Sequence, residues 1–266
     1  MTVSTLPSSD SSHELLAQIS TIWSNVLKAH GGPDQADAVE QSRFFDRYHR
    51  AILRYLIACV HEEEVASDLF QEFALRFIRG DFAQVRPRTG SFRQYIKTSL
   101  MNLVRDYQAK HNQSPLVTNI SGVVSGDADP SSSAFDEGLR DELLSRAWKA
   151  LSHAQTTGGP PFYTALKAKV NYPEWNSSEL ASHLAHSLGR SEVPTEPALR
   201  KLIQRAREAF ADHLLNQVQL VIGNSSWEQV EEELAALELL PYCSHALHDR
   251  RGAVASRGTN STDGHA

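Results

Sequence analysis

The chain has 266 residues, of which 41% are hydrophobic and 22% are charged, and its formal net charge is −6. This composition is typical of a globular protein with one or two domains, and it excludes a chain that is disordered or membrane-embedded throughout. The negative charge also argues against indiscriminate binding to nucleic acid, so any contact with DNA must be local or assisted by a partner.

Targeting and redox motifs are not evident in the sequence. No run of apolar residues approaches the length of about 20 needed to cross a bilayer, and residues 1–12 lack the apolar core of a signal peptide. Cys59 and Cys243 lie far apart and form no metal or redox spacing. We therefore expect a cytoplasmic protein that has no membrane partner.

The N-terminal part of the chain predicts a tail followed by two helical segments. Residues 1–12 are rich in Ser, Thr and Pro and are expected to be disordered. Residues 13–28 have apolar side chains at helical spacing and are followed by the helix-breaking Gly31-Gly32-Pro33. A longer helical pattern covers residues 36–59 and predicts one long helix or two joined ones.

Residues 65–79 predict an amphipathic helix with an acidic side. Leu69 and Phe73 lie on its apolar side, whereas Asp68 and Glu72 are one turn apart on another side. Two carboxylates at this spacing suit a docking surface, a general acid–base pair or half of a di-metal site, and they also occur on solvated faces. No His follows either acid at the Glu-x-x-His spacing, which argues against the di-metal alternative.

After a loop at 80–89 that contains Gly and Pro, residues 90–111 predict a helix with a basic side. Its positive residues, together with those just upstream, are Arg86, Arg88, Arg93, Lys97, Arg105 and Lys110. Aromatic side chains are interleaved with these charges. A cationic line with aromatics between its charges is typical of a surface for a polyanion with stackable bases. The alternative is a solvated helix face.

The second half of the chain predicts a polar linker followed by further helices. Residues 113–136 are rich in Ser, Asp, Gly and Pro, which is typical of a flexible linker. Amphipathic patterns predict helices at 135–152, 161–170, 176–188 and 195–218. A short helix, a break and a longer basic helix form the pattern of a helix-turn-helix, for which a structural helical hairpin is the alternative.

A short acidic helix is predicted to start at Ser226 or Trp227 and to stop at Pro241. Its glutamates, among them Glu233, are set against an apolar stripe that includes Leu234. The expected role is packing on the last domain, and shielding of the basic helix in the absence of a partner is the alternative. Residues 250–266 are expected to be disordered.

Three motifs in order, FFDRYHRAILRYL, DLFQEFALRFIRGDF and GSFRQYIKTSLMNLVRDY, resemble the second conserved region of bacterial sigma factors, in particular of the extracytoplasmic-function (ECF) group. The resemblance covers residues 41–110. It implies that the acidic helix contacts core RNA polymerase through Asp68, Leu69, Gln71, Glu72 and Arg76. It implies that promoter DNA is contacted by Arg86, Arg88, Arg93, Tyr95, Lys97, Asn102 and Arg105, with the loop at 82–89 holding a flipped base.

Two later motifs, PEWNSSELASHLA and PALRKLIQRAREAF, are similar to the helix-turn-helix of the family's fourth conserved region, which reads the minus-thirty-five element. This likeness implies DNA contacts by Arg200, Lys201, Gln204 and Arg205. The chain departs from the family at 189–196, because GRSEVPTE inserts residues where the family has a tight turn.

These observations predict an all-α protein with two helical domains joined by a flexible linker. The predicted parts are an N-terminal tail and helix at 1–35, a region-2-like domain at 36–112, the linker at 113–136, a region-4-like domain at 137–218 and an acidic helix with a tail at 219–266. The predicted function is that of a sigma factor, which binds core RNA polymerase and promoter DNA. An anti-sigma factor is a further candidate partner.

No enzymatic or cofactor motif is evident. His183 and His186 are i, i+3 on one predicted helix, but no further ligand completes a metal site, and we predict neither a metal nor a cofactor. Two other functions stay open at this point. One is a stand-alone helix-turn-helix regulator, and the other is a polymerase-interaction module that does not read DNA.

Overall fold

The computed structural model describes residues 35–79, 92–111, 130–189, 191–222 and 226–259. Within these ranges the regular secondary structure is helical and contains no strand, which confirms the predicted all-α class. The helices are α1 (Gln35–Val60), α2 (Glu63–Ile78), α3 (Phe92–Lys110), α4 (Pro130–Thr156), α5 (Phe162–Asn171), α6 (Ser177–Ser187), α7 (Glu196–Ile222), α8 (Trp227–Ala236) and α9 (Leu240–Thr259). Their order follows the apolar periodicity of the sequence.

Some predicted segments lie outside the described residues: the tail and helix at 1–28, the loop at 80–89, most of the linker at 113–136 and the last part of the tail at 260–266. The chain divides into two units, Met1–His49 and Arg50–Ala266, so the division does not fall at the predicted linker. The described residues of the first unit belong to α1. The predicted linker ends in helix, because α4 already begins at Pro130.

The second unit is organised around α7, which packs against α4, α5, α6, α8 and α9. Buried apolar side chains recur along α7 at helical spacing and form its inner stripe: Leu199, Ala206, Phe210, Leu214, Leu215 and Val218. On α4, the ring of Trp148 lies with its centroid 4.8 Å from that of Phe210. The apolar face predicted for this helix is therefore the one that builds the core.

α4 crosses the part of α1 that belongs to the second unit. Gly138 permits a close approach, because a Cβ at this position would lie 2.8 Å from the Cα of Ala51. Beside the crossing, Arg54 of α1 forms ion pairs with Glu137 (3.1 Å) and Asp141 (2.6 Å) of α4. A helix that precedes the predicted linker thus contacts α4, and the division into two domains stays a prediction.

The pair α6 and α7 corresponds to the predicted helix-turn-helix. The Asn176 side chain accepts hydrogen bonds from the N–H groups of Ser178 and Glu179, and the Glu179 carboxylate accepts one from the Asn176 N–H, which confirms the predicted capping box. Residues 188–195 separate the two helices. Gly189 in this connection has a φ of +61°, a left-handed conformation that glycine adopts readily.

The C-terminal part continues as helix beyond the point where the sequence predicts disorder. Pro241, predicted to be a stop, lies in the first turn of α9, where its missing N–H is no loss. Arg250 of α9 pairs with Asp212 of α7 at 3.0 Å, and Arg251 pairs with Glu231 of α8 at 2.7 Å. These tertiary ion pairs hold a segment whose own sequence has little helical periodicity.

Candidate functional site

The acidic side of α2 is exposed, as its helical pattern predicts. Asp68 and Gln71 are exposed, and their side chains make no hydrogen bond or ion pair with the described part of the chain. Leu69, which was also predicted to contact polymerase, is buried with Phe70 and Phe73 in the core side of the helix. The candidate docking surface on α2 therefore consists of polar side chains, and Leu69 supports it from below.

Arg76 links the acidic helix to its neighbour. Its guanidinium contacts the Glu72 carboxylate at 2.5 Å on α2 and the Asp106 carboxylate at 3.3 Å on α3. Burial by itself would lower the pKa of Arg76, but hydrogen bonds and charge interactions with both carboxylates outweigh it, so the pKa is raised. Glu72 is thus partly neutralised, and Asp68 carries the free negative charge of this surface.

The basic line of α3 is divided by the structure into a buried and an exposed part. Arg93 and Lys97 are only 7% and 8% exposed. The Arg93 guanidinium donates to Asp136 of α4 at 2.7 Å and to Glu233 of α8 at 2.8 Å. The Lys97 ammonium contacts Asp136 at 2.5 Å and the Ser132 hydroxyl at 2.9 Å. Neither side chain has the exposed position that contact with DNA requires, so the line predicted at this end of α3 is covered in this structure.

The environment of the two buried cations changes their pKa values in opposite directions. Burial opposes the charge of Arg93, but Glu233 and Asp136 outweigh it and raise the pKa of the guanidinium. Burial lowers the pKa of Lys97, and the nearby charge of Arg93 adds to this effect, although Asp136 acts against it. Arg93 contacts two carboxylates and Lys97 only one, so the burial of Arg93 is better compensated.

The remaining DNA contacts predicted on and before α3 lie on its surface or outside the described residues. Asn102 and Arg105 are exposed, and Tyr95 is half-buried with its pKa raised by burial, against a smaller effect of Ser99. Arg86 and Arg88 lie outside the described residues. The exposed part of the predicted surface is thus the C-terminal half of α3.

The predicted DNA-contacting residues of α7 all point away from the core. Arg200, Lys201, Gln204 and Arg205 are exposed. Two of them are engaged on the helix itself, because Arg200 pairs with Glu196 at 2.8 Å and Gln204 donates to Glu208 at 3.0 Å. Such exposed i, i+4 contacts are weak, and a partner can displace them at little cost.

Two residues of the site, Asp136 and Glu233, were not predicted from the sequence. Glu233 is 4% exposed and lies between Val230 and Leu234 on the apolar side of α8. A carboxylate within an apolar stripe is the signal that could have found it, because a buried acid requires a basic partner. Asp136 follows the buried Phe135 on α4 and gives no comparable signal.

Other chemistries find no support in the part of the chain that the structure describes. That part contains no group of three His, Cys, Asp or Glu side chains that could hold a metal ion. It also contains no helix that is long and apolar enough to cross a membrane.

No protein family, curated protein or solved structure matches this chain in the comparisons. A function can therefore be argued only from the residues, their motifs and their geometry.

Proposed function

We propose that this chain is a sigma factor of the ECF type, which binds core RNA polymerase and directs promoter recognition and DNA melting. The observation that carries the proposal is the arrangement of α2 and α3, two motif-bearing helices that pack side by side. The apolar residues of α2 face the core, while Asp68 and Gln71 are exposed and have no partner in the described chain. A polar surface of this kind is available for docking on a large partner.

The proposal includes the organisation of that family, in which two domains read separate promoter elements. Residues 36–112 would act at the minus-ten element and residues 137–218 at the minus-thirty-five element, with 113–136 joining them. The contacts of α4 with α1 and α3 belong to the free protein, and they must loosen if the two domains separate on polymerase.

In the proposed mechanism, docking through Asp68 and Glu72 holds α3 and the loop at 82–89 against the non-template strand. Opening a duplex costs about 1.4 kcal/mol per base step. Stacking of an extruded base on an aromatic side chain returns about 1–3 kcal/mol, and phosphate contacts add a share that depends on salt. The exposed residues of α7, such as Arg200 and Lys201, would contact the upstream element.

In-vitro transcription with core RNA polymerase tests the proposal. A sigma factor yields transcripts that start at defined positions and depend on the added protein. A stand-alone regulator neither binds core polymerase nor initiates. Absence of both polymerase binding and transcripts, over a library of promoter sequences, would rule the proposal out.

The docking surface has a separate test by charge reversal. We predict that Asp68→Lys combined with Glu72→Lys lowers the affinity for core polymerase at least about tenfold, because like charges then face the partner's site. A matched control is Glu174→Lys combined with Glu192→Lys, which changes the net charge equally at exposed positions outside α2. Pull-down and fluorescence titration measure the affinity. Equal affinities of the two double variants would remove the docking assignment.

The burial of Arg93 and Lys97 favours a second candidate, the polymerase-interaction module that does not read DNA. In this alternative the two cations are structural, so docking is retained and promoter melting is lost. The same assays separate the two candidates. The module binds core polymerase through α2 but yields no initiated transcripts.

A further inference from the structure

We infer that α8 is a built-in competitor for the basic surface of α3, so that a polyanion and α8 bind this surface in mutually exclusive ways. The inference rests on the proposed function, because it concerns the regulation of the same surface. In the structure, the Glu233 side chain of α8 occupies the basic surface at Arg93, together with Asp136 at the start of α4.

The carboxylates of Glu233 and Asp136 together bind the Arg93 guanidinium, and this pair of contacts is called the Arg93 clamp. Glu233 lies 140 positions after Arg93, and its carboxylate receives the Nε–H of the guanidinium at 2.8 Å. Asp136 receives an Nη1–H at 2.7 Å, so two carboxylates occupy two donor directions of one guanidinium. A phosphate group binds a guanidinium through the same donors. Glu233 and a nucleic-acid phosphate are therefore alternatives for Arg93.

α8, which lies over Arg93, carries several acidic side chains. α8 carries Glu228, Glu231, Glu232 and Glu233, and the last of these is turned inward to Arg93. A strand of DNA that approaches this end of α3 meets a negatively charged helix in a protein whose net charge is −6. While α8 is in place, Arg93 is paired with Glu233 and out of reach, and Lys97 beside it is held by Asp136 of α4.

The contacts between α4 and the C-terminal end of α8 are partly exposed to solvent. Beyond its C-terminal end, Glu238 pairs with Arg140 of α4 through a side chain that is 78% exposed. A cleft of about 360 Å³, lined by residues such as Ser133, Glu137 and Leu237, lies between the start of α4 and this end of α8. A buried ion pair is nearly balanced by the cost of desolvating its charges, so it sets the position of α8 without holding it strongly. The buried Val230 and Leu234 and the pairs of Glu228 and Glu231 with Arg251 also hold α8, so a polyanion competes against these contacts as well as against Glu233.

The experiment measures the affinity of the full-length protein for a fluorescein-labelled single-stranded DNA of about 20 nucleotides and mixed sequence at low salt. Glu233→Gln removes the inward charge, and Glu232→Gln removes the same charge from an exposed position on the same helix. We expect Glu233→Gln to bind at least about tenfold more tightly than Glu232→Gln, a coupling of ordinary size for competing sites. Comparison of these two variants cancels the general effect of net charge.

A second variant keeps the inference testable if Glu233→Gln does not fold, which circular dichroism reports. Arg140→Gln weakens the exposed pair with Glu238 and leaves the Arg93 clamp untouched. We expect its affinity for the same DNA to rise, by up to about fivefold, although the variant has lost a positive charge. Simple electrostatics predicts the opposite sign, so a weaker or unchanged affinity of Arg140→Gln counts against the competition.

The outcomes also separate this inference from the proposed function. If Glu233→Gln folds, equal affinities of Glu233→Gln and Glu232→Gln for the DNA overturn the competition. If it does not fold, the affinity of Arg140→Gln for the same DNA decides the question. A protein that initiates transcription but fails this test is a sigma factor without the built-in competitor. A protein that passes it but never initiates transcription with core polymerase keeps the competitor and loses the proposed function.

Discussion

Two neighbouring helices, α2 and α3, carry ionisable side chains at the same i, i+4 spacing, yet the structure treats them in opposite ways. Asp68 of α2 is exposed and has no partner in the described chain, whereas Arg93 and Lys97 of α3 are buried in ion pairs. The spacing is the same, and the difference comes from other helices. α4 and α8 bring carboxylates to α3. On α2, Arg76 is the only basic side chain in the described part of the chain that pairs with Glu72.

This comparison shows what a line of charges on a helix does and does not indicate. It indicates a face that the helix does not use for apolar packing. It does not indicate whether that face meets solvent, a partner or another part of the same chain. For α3 the answer depends on Glu233, a residue that lies 140 positions away.

The largest effect is expected when the buried pair is broken. We predict that Arg93→Ala lowers the free energy of unfolding by about 3–5 kcal/mol, because it leaves the Glu233 carboxylate buried and without its guanidinium. Asp68→Ala on α2 should change it by less than about 0.5 kcal/mol. Urea unfolding followed by circular dichroism measures both. Similar, small losses for the two variants would mean that Arg93 is exposed in solution.

A second prediction concerns pH. The pKa of Lys97 is lowered from its ordinary value of 10.5, chiefly by burial. Between the lowered pKa and 10.5 the unfolded chain binds more protons than the folded protein, so this group makes stability rise with pH in that window, by at most about 1.4 kcal/mol per pH unit. Lys97→Gln removes the contribution. The difference in unfolding free energy between wild type and this variant should therefore increase with pH.

The control for the pH series is Lys201→Gln, which removes a lysine from the exposed side of α7. Urea unfolding at several pH values below 10.5, the ordinary pKa of the lysine side chain, provides the measurement. A difference between wild type and Lys97→Gln that stays flat or falls across this window contradicts the buried position of the ammonium.

A smaller loss than that of Arg93→Ala is expected at Arg76, which joins the two helices at the surface. We predict that Arg76→Ala lowers the free energy of unfolding by about 0.5–1 kcal/mol, because half-exposed ion pairs with Glu72 and Asp106 contribute little. The loss should shrink when the salt concentration is raised, since salt screens exposed charges. Arg207→Ala on the exposed side of α7 is the control. A loss of unfolding free energy as large as that of Arg93→Ala would contradict the distinction between the exposed ion pairs of Arg76 and the buried ion pairs of Arg93.

Much of the local structure could be predicted from single stretches of sequence. Apolar residues at helical spacing predicted α2, α3 and α7, and the Asn176 capping box marked the start of α6. The exposed positions of Asp68 and Arg200 followed from the same periodicity. These features depend on residues within a few turns of one another, so the sequence contains the information directly.

Other features could not be predicted in this way. The crossing of α1 and α4 depends on Gly138 facing Ala51, and Arg250 and Arg251 of α9 are held by side chains of α7 and α8. Neither contact leaves a periodic pattern in the segment that it stabilises. The predicted boundary between domains was drawn from polar composition, which does not report the packing of the helices on either side.

By itself, the sequence determined that the described part of the chain is helical, which face of each helix is apolar, and that α2 and α3 carry charges of opposite sign. The tertiary structure alone decided that Arg93 and Lys97 are enclosed. The physical reason is that helical periodicity is a local property, whereas the burial of a charge is tolerated only where another segment supplies the opposite charge. For α3 those segments are α4, which supplies Asp136, and α8, which supplies Glu233, and the sequence of α3 gives no sign of either.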